Sequence, residues 1–295
     1  MRRIVRGDNL EALAALPRAF SRLAYIDPPF NTGRVQKRDR MKVSSADATP
    51  VNANANANAK ASRVGFQGRR FNVERVVSST YRDAFEDYVP FLMARIEAAL
   101  PCLTPDASLF VHLDAREVHY VKVALDALLG RASFKNEIIW AYDYGARSKE
   151  RWPAKHDTIL WYVRDPKRYV FEYDAIDRIP YMAPKLVTPE KAARGKTPTD
   201  VWWNTIVPTA GREKTGYPTQ KPLAILERIV KVHSKPGDVV LDFFAGSGTT
   251  GEAAAKHGRG FVLVDESLEA CRVAARRLAA YRPKLEGFKL RAGAS

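Results

Sequence analysis

Apolar and polar positions alternate along this chain with two periods, and the switches between them mark its elements. RRIVRGD (2–8) is an apolar-centred run stopped by Gly-Asp and predicts a short strand. NLEALAALP (9–17) spaces its apolar residues for one helix face and ends at a proline. RLAYID (22–27) is too short for a helix and runs into turn residues, so it predicts a buried strand. FEDYVPFLMARIEAALPCL (85–103) predicts an amphipathic helix with Pro90 as a kink point. SLFVHLD (108–114) predicts a strand, and REVHYVKVALDALLG (116–130) a helix closed by Gly130. FKNEIIWAYDYG (134–145) and HDTILWYVRD (156–165) predict two more strands. TQKPLAILERIVKVHS (219–234) reads as a helix, and PGDVVLDFFAGSGTTGEAAAKHG (236–258) as strand, glycine-rich turn and helix. GRGFVLVDES (258–267) is a further strand and LEACRVAARRLAAY (268–281) a last helix. Strands alternating with helices predict an α/β fold with a mostly parallel sheet covered on both faces.

One stretch breaks the pattern. Residues 31–75 show no sustained apolar period, and VNANANANAKAS (51–62) lacks the apolar side chains that offset ordering entropy. The stretch predicts a mobile loop. It carries ten Lys/Arg against three acids, a balance of +7 within a chain of 295 residues and net charge +15. A surplus of that size predicts a polyanionic partner. Residues 166–215 mix Pro, Lys and Arg with aromatics. No apolar run reaches the roughly 18 residues of a membrane span, and MRRIVRGDNL has no signal-peptide core. Cys102 and Cys271 make neither a disulfide framework nor a paired metal motif, which predicts buried thiols in a reducing cytoplasm and no metal site.

Two motifs carry chemistry. GSGTTG (246–251) follows a strand and opens a helix; its glycines permit a tight turn and close ligand approach at a helix N-terminus. Asp265, ending the next strand, is placed to accept ribose hydroxyls. This predicts a nucleoside-containing cofactor, with NAD, FAD and S-adenosylmethionine all fitting. No Lys-Ser or Lys-Thr follows the glycines, against a Walker A loop. Asp242, just before the turn, suits an ammonium group, which S-adenosylmethionine carries and NAD does not; capping the turn is its plainer use. The second motif is Asp27-Pro28-Pro29-Phe30. Both prolines fix φ and remove N–H donors, leaving the Asp27 carboxylate and Pro28 carbonyl as a stiff acceptor array beside the face of Phe30. That array suits a planar ring bearing an exocyclic amine, such as adenine N6 or cytosine N4. The competing use of Asp-Pro-Pro is a simple turn.

Taken together, DPPF (27–30), PTQKP (218–222) and LDFFAGSGTT (241–250) resemble the DNA amino-methyltransferases of the beta class, in which the catalytic motif precedes the cofactor motif. The similarity extends through SLFVHLD, NEIIW, KHDTILWYVRD and VWWNTI, over most of residues 4–275. It implies a Rossmann-like S-adenosylmethionine-dependent methyltransferase fold in circularly permuted order, with a seven-stranded, mostly parallel sheet. Residues 1–140 would form the catalytic half, 141–215 a target-recognition region and 216–295 the cofactor-binding half. Asp27 and Pro28 would hold the target amine, with Pro29 stiffening the edge and Phe30 stacking on the base. Gly246, Ser247, Gly248 and Thr249 would form the cofactor loop, with Asp242, Phe243, Thr219 and Lys221 near the methionine moiety, Asp265 on the ribose and Asp8 near the adenine. Asp ahead of Pro-Pro favours adenine N6. Cytosine N4, an RNA substrate and a catalytically silent DNA binder are the alternatives, and an NAD-dependent oxidoreductase would leave DPPF and the basic stretch without a role. The target base would be flipped out of double-stranded DNA. A companion restriction endonuclease and a homodimer fit the same resemblance. Arg34, Lys37, Arg38 and Arg40, directly behind DPPF, would contact phosphates. Neutralising these four residues is expected to weaken DNA binding and flatten its salt dependence; an affinity series in rising salt checks this, and an unchanged slope counts against the contact.

Overall fold

The computed structural model describes residues 1–290 except 32–33, 46–60, 65–69, 84, 86, 144, 146, 209–210 and 212, and in the strands between 34 and 83 it describes the backbone only. In chain order the elements are β1 (Arg2–Arg6), α1 (Asn9–Ala14), β2 (Ser21–Ile26), β3 (Arg34–Ser45), β4 (Ala61–Val64) and β5 (Arg70–Asp83). Next come α2 (Tyr88–Ala99), β6 (Leu103–Leu113), α3 (Val118–Leu129), β7 (Phe134–Ala141), β8 (His156–Val163), α4 (Pro189–Arg194) and β9 (Val201–Trp203). The chain ends with α5 (Leu223–His233), β10 (Val239–Asp242), α6 (Thr249–Lys256), β11 (Gly260–Asp265), α7 (Leu268–Arg277) and β12 (Lys284–Glu286).

The larger unit, Met1–Phe30 with Asp87–Ser295, is built on a nine-stranded sheet in the order β12-β1-β11-β10-β2-β6-β8-β7-β9. From β12 to β6 every neighbouring pair is parallel. β8 then runs antiparallel to both β6 and β7, and β9 pairs parallel with β7. The sheet is therefore wider than the seven strands expected, and its far edge is mixed. The two added strands, β12 and β9, are each three residues long, too short for a periodic signal; β12 pairs with β1 and β9 with β7. Arg3 donates twice to the Glu286 carboxylate, at 2.8 Å each, pinning that edge.

Alternation along β2 shows how the sheet is covered. Leu23 and Tyr25 pack into one cluster with Leu226, Ile229, Ala253 and Ala274 from α5, α6 and α7. Ala24 and Ile26, buried on the other face, lie on the side of α1, α2 and α3. Such two-sided burial is why these strands read as continuous apolar runs. Helix α2 starts at Tyr88, so Pro90 falls in its first turn, where a missing N–H breaks no intrahelical bond; the kink expected there does not arise.

The smaller unit, Asn31–Glu86, holds a three-stranded antiparallel sheet in the order β3-β5-β4. The sequence reading of 31–75 as a loop is corrected here for the described residues. β3 and β5 pair from Arg34↔Asp83 to Ser45↔Phe71. Hairpin pairing satisfies backbone groups without an apolar period, so it left no signal to read. The low-complexity core at 51–60 lies outside the described residues.

Strand order reverses direction at β10 and β2: β10 leads through α6 to β11 on one side, and β2 leads to β6 on the other. A ligand crevice is expected outside the carboxyl ends of the strands at such a switch point. The crevice depends on close packing behind it. A Cβ on Gly248 (φ +75°) would sit 2.8 Å from the Ala274 Cβ. Gly248→Ala is expected to cost about 1–3 kcal/mol through overpacking and backbone strain; urea unfolding of the variant beside the parent protein checks this.

Candidate active site

The parallel strands deliver an acid each to one edge. Asp8 follows β1, Asp265 ends β11, Asp242 ends β10, Asp27 follows β2 and Asp114 follows β6. Antiparallel β8 adds Asp157 from its first turn of pairing, opposite Trp140.

On the cofactor side the acids organise the glycine-rich turn. Asp242 is buried; one oxygen accepts the Phe244 N–H at 3.0 Å and the other the Thr250 hydroxyl at 2.6 Å. Asp265 accepts the Gly246 N–H and the Ser267 N–H, both at 2.8 Å. Burial pushes the Asp242 carboxyl up to about 7, against the lowering effect of those hydrogen bonds and with Asp27 and Asp265 adding repulsion. Burial also pushes Asp265 up, to about 6. Thr249 donates its hydroxyl to the Lys221 carbonyl at 3.3 Å, accepts from Arg277 at 2.9 Å and lies 3.1 Å from the Ser247 hydroxyl. Asp8 caps α1 by accepting from Leu10 N–H at 2.8 Å and Glu11 N–H at 3.3 Å. Its neighbour Asn9 donates to the Phe243 carbonyl at 3.1 Å and accepts from Arg95 at 2.6 Å. Asn9 and Arg95, with the guanidinium 3.7 Å from the Phe91 ring centroid, were missed from sequence because nothing local links them.

On the DPPF side, Lys221 lies not free in the crevice but on Asp27: its ammonium donates to Asp27 Oδ2 at 2.5 Å and sits 4.8 Å from the Phe30 ring centroid. Asp27 Oδ1 is buried and has no hydrogen-bond partner among the described residues. The PTQKP loop holds Lys221 there. Thr219 takes a left-handed φ of +57°, and the Gln220 amide accepts from Thr215 N–H and hydroxyl, both at 2.8 Å, while donating to the Glu213 carbonyl at 2.7 Å.

Behind Phe30 lies a polar chain that the sequence reading took only for strands. Tyr25 and His112 Nδ1 are 2.7 Å apart, His112 Nε2 and Asp157 Oδ2 3.2 Å, and Tyr142 donates to Asp157 Oδ1 at 3.1 Å. Burial drives the Tyr25 phenol well above its ordinary range, so it stays protonated beside His112 Nδ1. Burial opposes ionisation of Asp157, but the His112 hydrogen bond and charge, with Lys221 and Tyr142, hold it below the ordinary carboxylate range. His112 supports Phe30, ring centroids 5.9 Å apart, and takes the edge of Trp140 at 5.5 Å. The available signal was a His and an Asp inside fully buried strands, since buried polar groups require partners.

Arg34, Lys37, Arg38 and Arg40 lie on β3 of the smaller unit, with side chains outside the described residues. Trp202 belongs to the core, whereas Trp152 and Trp203 are exposed. Arg164 donates to the Leu100 and Leu103 carbonyls, a structural use. Among the described residues no helix is long and apolar enough to cross a membrane.

A family model described as DNA methylase, the N6/N4 methylase model, matches residues 21–276. The type II methyltransferase M.ScaI of Streptomyces caespitosus is 36% identical over 87% of this chain and 74% of its own length. The DNA adenine methyltransferase YhdJ of Escherichia coli is 26% identical over 93% of this chain and 82% of its own. Among solved structures, the M1.HpyAVI–SAM complex superposes with a TM-score of 0.57 at 20% identity, covering 94% of this chain and 99% of that one. The cytosine-N4-specific PvuII DNA methyltransferase superposes at 0.62 with 14% identity, covering 97% and 95%. At these identities the structural likeness establishes the fold.

The raised Asp242 and Asp265 carboxyls set a pH dependence. Folded-state values near 7 and 6 mean the native protein holds protons that the unfolded chain releases near the ordinary carboxylate value of about 3.9. Their contribution to stability is complete at acid pH and is lost as pH rises through 6 to 7. Asp242→Asn is therefore expected to gain stability relative to the parent between pH 4.5 and about 7.5; urea midpoints at both values check the difference.

Proposed function

The chain belongs to the N6/N4 DNA methylase family, and from that premise we propose that it methylates adenine N6 in duplex DNA at the DPPF edge. It is an S-adenosylmethionine-dependent DNA methyltransferase. The observation that carries amine methylation at this edge is Asp27 Oδ1, buried next to Phe30 and without a hydrogen-bond partner among the described residues.

The donor set fits the cofactor. Asp27 and Asp265 crowd negative charge onto Asp242, and Lys221 is paired with Asp27. A cation bearing a sulfonium and an ammonium relieves that crowding, which NAD does not. When bound, S-adenosylmethionine supplies an electrophilic methyl group. Asp242 is the residue for the ammonium and Asp265 for the ribose hydroxyls, with Asp8 toward the adenine and Thr219 and Phe243 bordering the methionine end. The Gly246–Thr249 turn supplies backbone close to the ligand.

On the substrate side, Asp27 Oδ1 and the Pro28 carbonyl accept the two N–H bonds of the target amine, and Phe30 stacks on its ring. Two fixed acceptors draw the amine nitrogen out of conjugation and stabilise the positive charge that develops on it. Lys221 holds Oδ2, so Asp27 offers Oδ1. Pro28 and Pro29 keep this edge from flexing. An amine inside a duplex does not reach such an edge, so the base must leave the stack. Asp ahead of Pro-Pro and the likeness to an adenine methyltransferase support adenine over cytosine N4. The Arg34–Arg40 stretch is the phosphate contact in this reading. The likeness to M.ScaI, named a type II methyltransferase, supports a companion endonuclease; a homodimer is part of the same proposal.

With labelled S-adenosylmethionine and mixed-sequence duplex DNA, the labelled nucleoside is expected to be N6-methyladenine. Label in N4-methylcytosine moves the activity to the other base, and label in RNA alone overturns the DNA reading. Asp27→Ala is expected to abolish transfer, by about 10²-fold or more, while calorimetry shows cofactor affinity within a few-fold of the parent. Retained turnover in a folded variant removes Asp27 from its role.

A further inference from the structure

The hairpin joining β7 to β8 rises from the catalytic edge: Ala141 pairs with His156 at its foot, and Thr158 pairs with Leu113 of β6. Its foot is bonded to the layer beneath Phe30, because Tyr142 donates its N–H to the Lys155 carbonyl at 2.9 Å and its hydroxyl to Asp157 at 3.1 Å. In the connection between the two strands Trp152 is 96% exposed. A single exposed apolar residue is ordinary and means nothing alone. Trp152 differs in how it is presented. The Ser148 hydroxyl accepts from Glu150 N–H at 3.2 Å and Arg151 N–H at 3.3 Å, closing a turn that leads straight into it. Pro153 follows and restricts Trp152 to an extended backbone. Lys155 ties the far limb back to the Gly145 carbonyl at 3.2 Å. Along the connection between the two strands, Arg147, Lys149, Arg151 and Lys155 stand against two acids, Asp143 and Glu150.

A stiffly mounted, exposed indole on a hairpin with surplus positive charge is complementary to stacked bases between phosphate strands. We propose that Trp152 is a wedge that enters the duplex stack as the target base leaves it, an inference that rests on the DNA-methylation reading above. Removing a base leaves a stacking gap on both neighbours; a planar side chain filling it stabilises the open state and keeps the base at Asp27. The occupant is double-stranded DNA, chosen by the hairpin's charge and by its position at the catalytic edge.

The test uses the full-length protein, labelled S-adenosylmethionine and unmethylated genomic duplex DNA. Trp152→Ala is expected to lower the initial methylation rate roughly tenfold or more, the scale of one lost base–aromatic stack. Trp152→Phe is expected to retain most of it. Tryptophan emission that the parent shows beyond Trp152→Phe is expected to be quenched when duplex DNA is added with S-adenosylhomocysteine, a response that a purely structural side chain does not give. A Trp152→Ala rate equal to the parent's, an equal loss in Trp152→Phe, or unquenched emission each overturns the wedge. A parent protein that puts no label into DNA overturns the reading beneath it instead.

Discussion

Carboxylates held together and away from water repel one another, and this site keeps Asp27, Asp242 and Asp265 in that condition. Asp242 answers by taking up a proton more readily, and Asp27 by taking Lys221 as its counter-charge. The crowding persists because the surroundings leave the acids no escape. Each ends or follows a strand whose neighbours are parallel, and the strand interiors are apolar on both faces. The sheet thus stores a demand for positive charge at one edge, which a sulfonium–ammonium cofactor meets.

The same edge has a second requirement, a fixed acceptor for an amine. Lys221 links the two requirements. Its ammonium engages Asp27, and its carbonyl accepts from Thr249 in the cofactor turn. Movement of that turn is therefore felt at the Asp27 carboxylate. Beneath them, the Tyr25–His112–Asp157–Tyr142 chain fills the low-dielectric space under Phe30 with groups that all have partners. A fully satisfied buried network of this kind rigidifies, whereas a partly satisfied one would cost stability. Its far end is the foot of the hairpin that carries Trp152, so Phe30 and that hairpin share one support.

The chemistry of the site was legible where a motif is contiguous. DPPF, PTQKP and GSGTTG state their backbone demands within a few residues, through prolines that fix φ and glycines that permit close approach. Helices and buried strands were legible from their periods. The small sheet at 31–86 was not, because antiparallel pairing satisfies the backbone without an apolar rhythm, and β12 was too short to show one. Lys221 was expected near the methionine moiety of the cofactor; its pairing with Asp27 was not legible, because nothing local links two residues 194 positions apart.

By itself, then, the sequence determined the α/β alternation, the two ligand-facing turns and the residue types each turn presents, because these depend on local backbone chemistry. Only the tertiary structure decided that Asp27 and Lys221, 194 residues apart, form one ion pair. It alone decided that His112 and Asp157 complete a chain begun by Tyr25, and that the cofactor-side acids share a crevice with the DPPF edge. Those facts depend on which strands lie side by side, and strand order follows from burying both faces of one sheet rather than from any stretch of residues within it.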